Sequence, residues 1–128
     1  MGYVFVGERR SPTAQRMGVH WEDGRLCASN LHAALRRIGI EPADHTFRNL
    51  WTDDGEIDQK ALTATLADSL GNLADEHTTI VALGKRVSRE LSKWSVPHLM
   101  LVHPAARGSI RKRERYQAHV ESVMAQNL

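Results

Sequence analysis

Short apolar runs that alternate with segments of helical periodicity constrain the fold of this chain more than any other feature. The apolar runs cover residues 3–6, 79–83 and 98–102, and the more polar residues 46–51 are a further short strand candidate. β-Branched and aromatic residues fill the first run, which is typical of a strand buried on both faces. After each run, apolar side chains recur at three- and four-residue spacing, which predicts helices. Strands that alternate with helices, without hairpin signals, predict a parallel sheet covered by helices on both faces.

Each predicted helix has one apolar stripe. The stripes comprise Leu31, Leu35 and Ile38 in the first helix, Leu62, Leu66, Leu70 and Leu73 in the second, Val87, Leu91 and Trp94 in the third, and Tyr116, Val120 and Val123 in the last. Ser109 is predicted to cap the last helix. We expect an α/β fold: a three-layer α/β/α domain over residues 1–128, with a four-stranded parallel sheet in the order 2-1-3-4, because right-handed crossovers leave few other topologies.

Cysteine and hydropathy patterns limit the cofactors and location. Cys27 is the single cysteine, so the chain cannot by itself supply a disulfide or a four-cysteine metal or iron–sulfur site. The seven histidines show no ligand spacing. We therefore expect no metal and no other cofactor. The sequence has no long apolar run and no leader pattern, so we expect a cytoplasmic protein with no membrane partner. We also expect a monomer.

Charge is distributed unevenly along the sequence. Residues 41–77 carry nine acidic side chains against two basic ones, while residues 1–40, 78–102 and 103–128 are each net basic. Such a distribution suggests a polarised surface, one side of which could meet a polyanion. Solvated helix faces are the alternative explanation, and charge alone does not exclude it.

Polar side chains follow three of the predicted strands. They are Glu8, Asn49 and His103, and they should converge because ligands bind at the carboxyl ends of parallel strands. Glu8 is a candidate base or charge stabiliser, Asn49 a reader of a planar amide edge, and His103 a donor to a developing anion. The plainer alternatives are a solvated carboxylate, a turn residue and a strand terminator. Residues 9–26 are predicted to form a long irregular loop beside Glu8, and loops of that length are often functional.

A basic segment follows His103. It contains Arg107, Arg111 and Arg113 around Ser109, at the predicted start of the last helix. A helix N-terminus offers free N–H groups and a positive dipole end, so it favours anions such as phosphate. Arginine side chains beside it would suit contacts with a nucleic-acid backbone. A solvated basic face is the alternative explanation.

Five segments, in order, carry a resemblance to a known enzyme family. They are Gly7-Glu8 after the first strand, residues 28–40, Phe47-Arg48-Asn49, residues 80–84, and residues 101–104 with Arg107 behind them. Together they resemble the motifs of the uracil-DNA glycosylase superfamily over nearly the whole chain. In that family, the last motif is a His-Pro followed by a loop that enters the DNA.

The sequence departs from the family pattern directly after Glu8. Arg9, Arg10, Ser11 and Pro12 replace the short Ala-Pro-Gly type of sequence, so this pocket loop differs from that of the relatives. Members with a similar first motif often carry an iron–sulfur cluster, for which this chain lacks the cysteines. The aromatic residue that stacks on the base has no clear match, and Trp21 is the candidate.

The resemblance implies a DNA glycosylase that flips a nucleotide out of the duplex and hydrolyses its N-glycosidic bond. Asn49 and Trp21 would bind the base, while Glu8 and His103 would be catalytic. The phosphate contacts would come from Arg107, Ser109, Arg111 and Arg113, and loop 103–110 would fill the gap that the flipped base leaves. DNA is the expected partner.

Uracil is the default base, and three alternatives stay open. The altered pocket loop could admit a bulky C5-modified pyrimidine, as on phage DNA, which would make the protein a defence enzyme. The chain could instead be a non-catalytic DNA- or nucleotide-binding module. It could also hydrolyse a free nucleotide, with the phosphate at Ser109.

Overall fold

A computed structural model describes residues 2–71, 78–106 and 108–125, without the side chain of Arg111. The sheet has four parallel strands, β1 (Gly2–Gly7), β2 (Thr46–Asn49), β3 (Thr78–Leu83) and β4 (Leu99–Leu101). Their order is β2-β1-β3-β4. The predicted parallel sheet and its strand order are therefore confirmed, and β1 lies between β2 and β3.

Helices cover both faces of this sheet. They are α2 (Ala28–Arg37), α3 (Gln59–Gly71), α4 (Lys85–Lys93) and α5 (Arg113–Met124), while α1 (Pro12–Met17) lies in the segment after β1. Buried residues of α2 and α5 share one apolar cluster with the sheet, and those of α3 and α4 share the other. The three-layer α/β/α architecture is confirmed.

Strand β1 contributes to both clusters because its side chains alternate between the two faces. Tyr3 and Phe5 pack on the side of α2 and α5. Val4 and Val6 pack on the side of α3 and α4. All four side chains are buried. This double burial fixes the register of β1, and therefore the place where the chain leaves the sheet at Gly7.

The segment after β1 is more ordered than predicted. Ser11 caps α1 by accepting the N–H of Ala14, Pro12 stands in its first turn, and Gly18 ends it at a φ of 66°. The expectation of an irregular loop is thus wrong for residues 12–17. This helix buries none of its residues, so it has no apolar stripe by which periodicity could reveal it.

Three other expectations need correction. Helix α5 begins at Arg113 after a 3₁₀ turn at Ser109–Arg111, so Ser109 does not cap it. Trp94 is 47% exposed, because α4 ends before it and its indole N–H is bound to Glu90 on the solvent side. Leu70, in the last turn of α3, is also exposed. Leu73 lies outside the described residues.

Candidate functional site

The carboxyl ends of the strands meet at one edge of the sheet. Gly7 and Asn49 are partners in the parallel register of β1 and β2. At the other side, the N–H of Gly84 donates to the carbonyl of Leu101 at 2.8 Å, and a Cβ at Gly84 would lie 3.5 Å from the Cβ of His103. The predicted site residues therefore emerge at the same edge of the sheet.

A cavity of about 480 Å³ opens at this edge, between the strand ends and the segment before α2. We call it the main cavity. Its lining residues include Glu8, Arg9, Arg10, Ser11, Pro12, Trp21, Arg25, Leu26, Cys27 and His103. The structure thus brings both candidate catalytic residues, the candidate stacking aromatic and the whole pocket loop to one space.

His103 is arranged as a neutral hydrogen-bond donor. Its Nδ1 accepts the N–H of Ala105 at 3.0 Å, so the proton of the neutral ring sits on Nε2. Burial lowers the pKa of His103, while the charge of Glu8 acts in the opposite direction. At neutral pH the imidazole is therefore uncharged. Its Nε2–H group takes no part in the bond to Ala105 and can donate to a ligand.

Glu8 belongs to a closed group with Trp51 and Arg86. One carboxylate oxygen of Glu8 accepts from Nη1 of Arg86 at 2.7 Å. The guanidinium of Arg86 lies 4.4 Å from the centroid of the Trp51 ring, a cation–π distance. The backbone N–H of Trp51 in turn donates to the backbone carbonyl of Glu8 at 2.9 Å. The carboxylate is thus held by an arginine that is itself held by an aromatic ring.

Sequence reasoning missed Arg86. It stands in the first turn of α4, directly after the end of β3. The rule that led to Glu8 and His103, namely that polar groups after parallel strands converge, applies equally to this position. That rule is the signal by which Arg86 could have been found.

Trp21 is bound to Asn49, at the rear of the main cavity. Its indole N–H donates to Oδ1 of Asn49 at 2.7 Å. The Trp21 and His103 rings meet edge to face, with centroids 5.8 Å apart. Asn49 lines a second cavity of about 350 Å³ and is not among the residues that line the main one. The structure therefore joins Glu8, Trp21 and His103, and places Asn49 behind Trp21.

His32 forms a hydrogen bond with the backbone of Trp21. Its Nε2 lies 2.8 Å from the carbonyl of Trp21, and because a carbonyl only accepts, this nitrogen carries the proton. The ring is buried and stacks on Phe47 at 5.5 Å between centroids. Burial lowers the pKa of His32. Its position in the sequence, next to Leu31 on the apolar side of α2, was the available signal for this role.

The pocket loop is tied to the acidic turn after β2. Arg10 donates to both carboxylate oxygens of Asp53, at 2.5 and 3.2 Å, and this contact lowers the pKa of Asp53. Arg9 reaches the same turn, where its Nη1 would lie 2.8 Å from a Cβ at Gly55. Gly55 has a φ of 87°, so the turn also requires glycine for its backbone. Both arginines are thus oriented by this turn.

Of the predicted phosphate contacts, Ser109 is placed differently from the prediction. Ser109 and Arg113 are exposed, and the N-cap of α5 is Lys112, so Ser109 does not stand at that helix N-terminus. Arg107 and the side chain of Arg111 lie outside the described part of the chain. Their role stays a prediction.

Other chemistries find little support among the described residues. Burial raises the pKa of the Cys27 thiol in the main cavity, which disfavours the reactive thiolate. No group of three or more His, Cys, Asp or Glu side chains is placed to hold a metal ion within residues 2–71, 78–106 and 108–125. Over the same part of the chain, no helix is both long and apolar enough to cross a membrane.

Comparison of the chain with models of known protein families and with curated proteins finds no match. The function must therefore be inferred from the residues of the main cavity and their geometry.

Proposed function

We propose that this protein is a DNA glycosylase that hydrolyses the N-glycosidic bond of a flipped-out pyrimidine nucleotide. The observation that carries the proposal is the meeting of Glu8 and His103 in one cavity, with Trp21 beside them. Base loss separates a developing positive charge on the sugar from a negative charge on the base. A carboxylate and a neutral imidazole N–H are suited to stabilise these two opposite charges.

The tautomer of His103 supports its part in this reaction. With Nδ1 accepting from Ala105, the donor of the neutral ring is Nε2. A neutral donor can stabilise a departing base anion without giving up its proton. The lowered pKa of His103 keeps this form populated at neutral pH.

Glu8 would act from the side of the sugar. Arg86 binds one of its oxygens, which favours one orientation of the carboxylate. A carboxylate oriented in this way can stabilise the sugar cation and align the attacking water. Trp21 would form the wall against which the base lies. Asn49 would then hold Trp21 in place through Oδ1, which leaves the two N–H groups of its amide for other contacts.

The size of the main cavity favours a bulky base as the second candidate substrate. Pockets for ligands of drug size, which are larger than an eight-atom uracil, measure about 300–1,000 Å³. The cavity measures about 480 Å³. Its wall includes the rebuilt loop Arg9–Pro12, beside which we place the substituent at pyrimidine C5. This space favours a modified pyrimidine, as on phage DNA. On that reading we propose that the protein acts in defence, in the cytoplasm.

The test is an excision panel of oligonucleotides that carry uracil or C5-modified pyrimidines, read as alkali-labile abasic sites. The wild type should cleave at least one of them. Glu8→Gln and His103→Ala should each lower the rate by roughly 10²–10⁴-fold. Glu41→Gln is the matched control, because Glu41 also pairs with an arginine, Arg36, but does not line the main cavity. Its rate should equal that of the wild type.

The same panel separates the alternatives. Salt-dependent DNA binding without any abasic product would contradict the glycosylase and favour a non-catalytic binding module. Hydrolysis of mononucleotides without any effect of DNA length would favour a free-nucleotide hydrolase. Equal rates of Glu8→Gln and wild type, with equal thermal stability, would show that Glu8 is not catalytic.

A further inference from the structure

The second cavity, of about 350 Å³, carries hydrogen-bonding groups that the proposed reaction does not use. Its lining consists of Arg10, His20, Arg48, Asn49, Trp51, Thr52, Asp53, Asp58 and Ala61. The volume falls within the range of small-molecule sites, about 300–1,000 Å³. Glu8 and His103, the candidate catalytic residues, line the main cavity but not this one. The second cavity is therefore a separate space with its own chemistry.

Trp51 brings a buried donor without a partner to the second cavity. It is 7% exposed, and its indole N–H makes no hydrogen bond with residues 2–71, 78–106 or 108–125. The N–H of a buried tryptophan usually has a partner. Among the described side chains, the hydroxyl of Tyr3 is the one unpartnered polar atom that is sealed from solvent. The indole N–H of Trp51 is therefore open to solvent, and it lacks an acceptor that a ligand could supply.

Asn49 adds two further donors. Its Oδ1 accepts the indole N–H of Trp21 at 2.7 Å, so the amide oxygen points toward that ring. The two N–H groups of the amide make no hydrogen bond in the described part of the chain. Together with Trp51, this side chain gives the cavity three N–H groups that can donate to ligand oxygens.

Asp58 provides an acceptor in the same cavity. Its Oδ1 accepts the backbone N–H groups of Lys60 and Ala61 at 3.1 Å each, at the start of α3. Its Oδ2 has no hydrogen bond within the described residues, and an ionised carboxylate can only accept. The cavity thus combines free donors with a free acceptor.

The charges around the second cavity favour an uncharged ligand. Arg10 is paired with Asp53, and Arg48 is paired with Asp68 at 2.7 Å. The two arginines and two aspartates of the lining cancel in formal charge. An anionic ligand would compete with the paired carboxylates and would also meet Asp58. A cationic ligand would compete with the two arginines.

The lining offers little apolar surface for a flat ring. Trp51 and Ala61 are its apolar members, and the guanidinium of Arg86 lies 4.4 Å from the centroid of the Trp51 ring. A hydroxyl group both donates and accepts a hydrogen bond, so neighbouring hydroxyls can satisfy N–H groups and a carboxylate at once. A sugar carries such hydroxyls on a ring that needs no stacking partner.

We propose that the second cavity binds an uncharged, hydroxyl-rich ligand of the size of a monosaccharide. Its hydroxyl oxygens accept from Trp51 and Asn49, and one of its hydroxyl groups donates to Asp58. The inference goes beyond the proposed function and does not rest on it. Because Asn49 also binds Trp21, the ligand contacts the residue that closes the rear of the main cavity.

The experiment follows the indole N–H resonances of the ¹⁵N-labelled protein during titration with sugars. Methyl glycosides of glucose, mannose and galactose are the probes, and inorganic phosphate is the anionic comparison. At least one glycoside should move the Trp51 resonance saturably, because its N–H gains an acceptor. The Trp94 resonance should stay in place, since that N–H is already bound to Glu90 on an exposed surface.

Asp58→Asn tests the acceptor. Asparagine keeps an oxygen for the N–H groups at the start of α3 and caps helices about as well as aspartate, so the fold should persist. Its amide N–H₂ replaces the acceptor for the ligand, and the sugar should bind roughly tenfold more weakly or worse. Asp44→Asn is the matched control, because Asp44 is exposed and lines neither cavity. Its affinity should equal that of the wild type.

Each result supports or overturns the proposal. A Trp51 resonance that no glycoside moves would overturn it, as would equal shifts of Trp51 and Trp94. A shift with phosphate but with no sugar would overturn the uncharged ligand. Equal affinities of Asp58→Asn and the wild type would overturn the assigned contacts. Excision of bases from DNA is measured separately, so the failure of either proposal leaves the other standing.

Discussion

At the scale of single residues, the site depends on the absence of a side chain at Gly7. A Cβ there would lie 2.6 Å from the indole nitrogen of Trp21 and 2.6 Å from Oδ1 of Asn49. These two atoms are the donor and acceptor of the bond that closes the rear of the main cavity. Glycine is therefore required at the end of β1 because of a close approach between side chains.

Gly7→Ala should push Trp21 away from Asn49 and destabilise the protein by about 1–3 kcal/mol, the usual cost of overpacking. Near-ultraviolet circular dichroism should change as the indole loses its fixed position, and urea denaturation gives the free energy of unfolding. Gly2→Ala, in the same strand, is the control because a Cβ at Gly2 would meet nothing within 4 Å. Equal stability of the two variants would contradict the close packing described here.

Residue positions were predictable where topology alone decides them. Glu8 and His103 follow strands, so the parallel sheet brings them to the same edge whatever their side chains contact. The bond between Trp21 and Asn49 joins residues 28 positions apart and has no local signature in the sequence. For the same reason, the sequence predicted two base-binding residues but not that they bind each other.

At the scale of elements, α5 is attached to the end of β4 by two specific hydrogen bonds. The hydroxyl of Tyr116 donates to the carbonyl of Val102 at 2.7 Å, and Nε2 of His119 accepts the N–H of Val102 at 2.9 Å. Val102 directly precedes His103. The helix therefore fixes the backbone from which the candidate catalytic histidine projects.

Tyr116→Phe should lower the free energy of unfolding by about 1 kcal/mol, because it removes a partly buried hydrogen bond to the carbonyl of Val102. Tyr3→Phe is a matched control: Tyr3 is also buried, but its hydroxyl has no hydrogen-bond partner in the described part of the chain. That substitution should be neutral or stabilising. Urea denaturation at neutral pH measures both, and equal losses would contradict this difference between the two hydroxyls.

Elements were predictable in proportion to the apolar surface they bury. The strands and α2 to α5 carry periodic apolar side chains, so their order and type follow from the sequence. Helix α1 buries nothing and was missed, although Ser11 and Pro12 form a regular helix start. The start of α5 was misplaced because the 3₁₀ turn at Ser109–Arg111 precedes it.

At the scale of the whole molecule, three histidines with lowered pKa hydrogen-bond to backbone groups at or near the candidate site. Burial is the main cause of the lowered pKa of His32, His103 and His119. His32 holds the carbonyl of Trp21, while His103 and His119 each accept a backbone N–H through an unprotonated nitrogen. Protonation of His103 would remove the acceptor for the N–H of Ala105, and protonation of His119 would remove the acceptor for the N–H of Val102.

We therefore expect the protein to lose stability as the pH falls from 7.5 to 5.5. A histidine whose pKa in the folded state lies below the unfolded value of about 6.5 binds more protons when unfolded. Its neutral form supports the fold fully above that value, and the support is lost as the pH falls through 6.5 toward the folded pKa. The lowered pKa values of Glu41 and Asp53 keep these carboxylates ionised across this range.

The urea midpoint should thus be lower at pH 5.5 than at pH 7.5, and His119→Gln should reduce the difference. The amide oxygen of glutamine can accept the N–H of Val102 and does not titrate in this range. Arg36→Gln, which removes only the exposed pair with Glu41, should leave the pH dependence unchanged. A urea midpoint that stays constant or rises on acidification would contradict the burial of neutral histidines around the strand ends. A wild-type pH dependence in His119→Gln would instead assign the effect to His32 and His103, the two histidines beside Trp21.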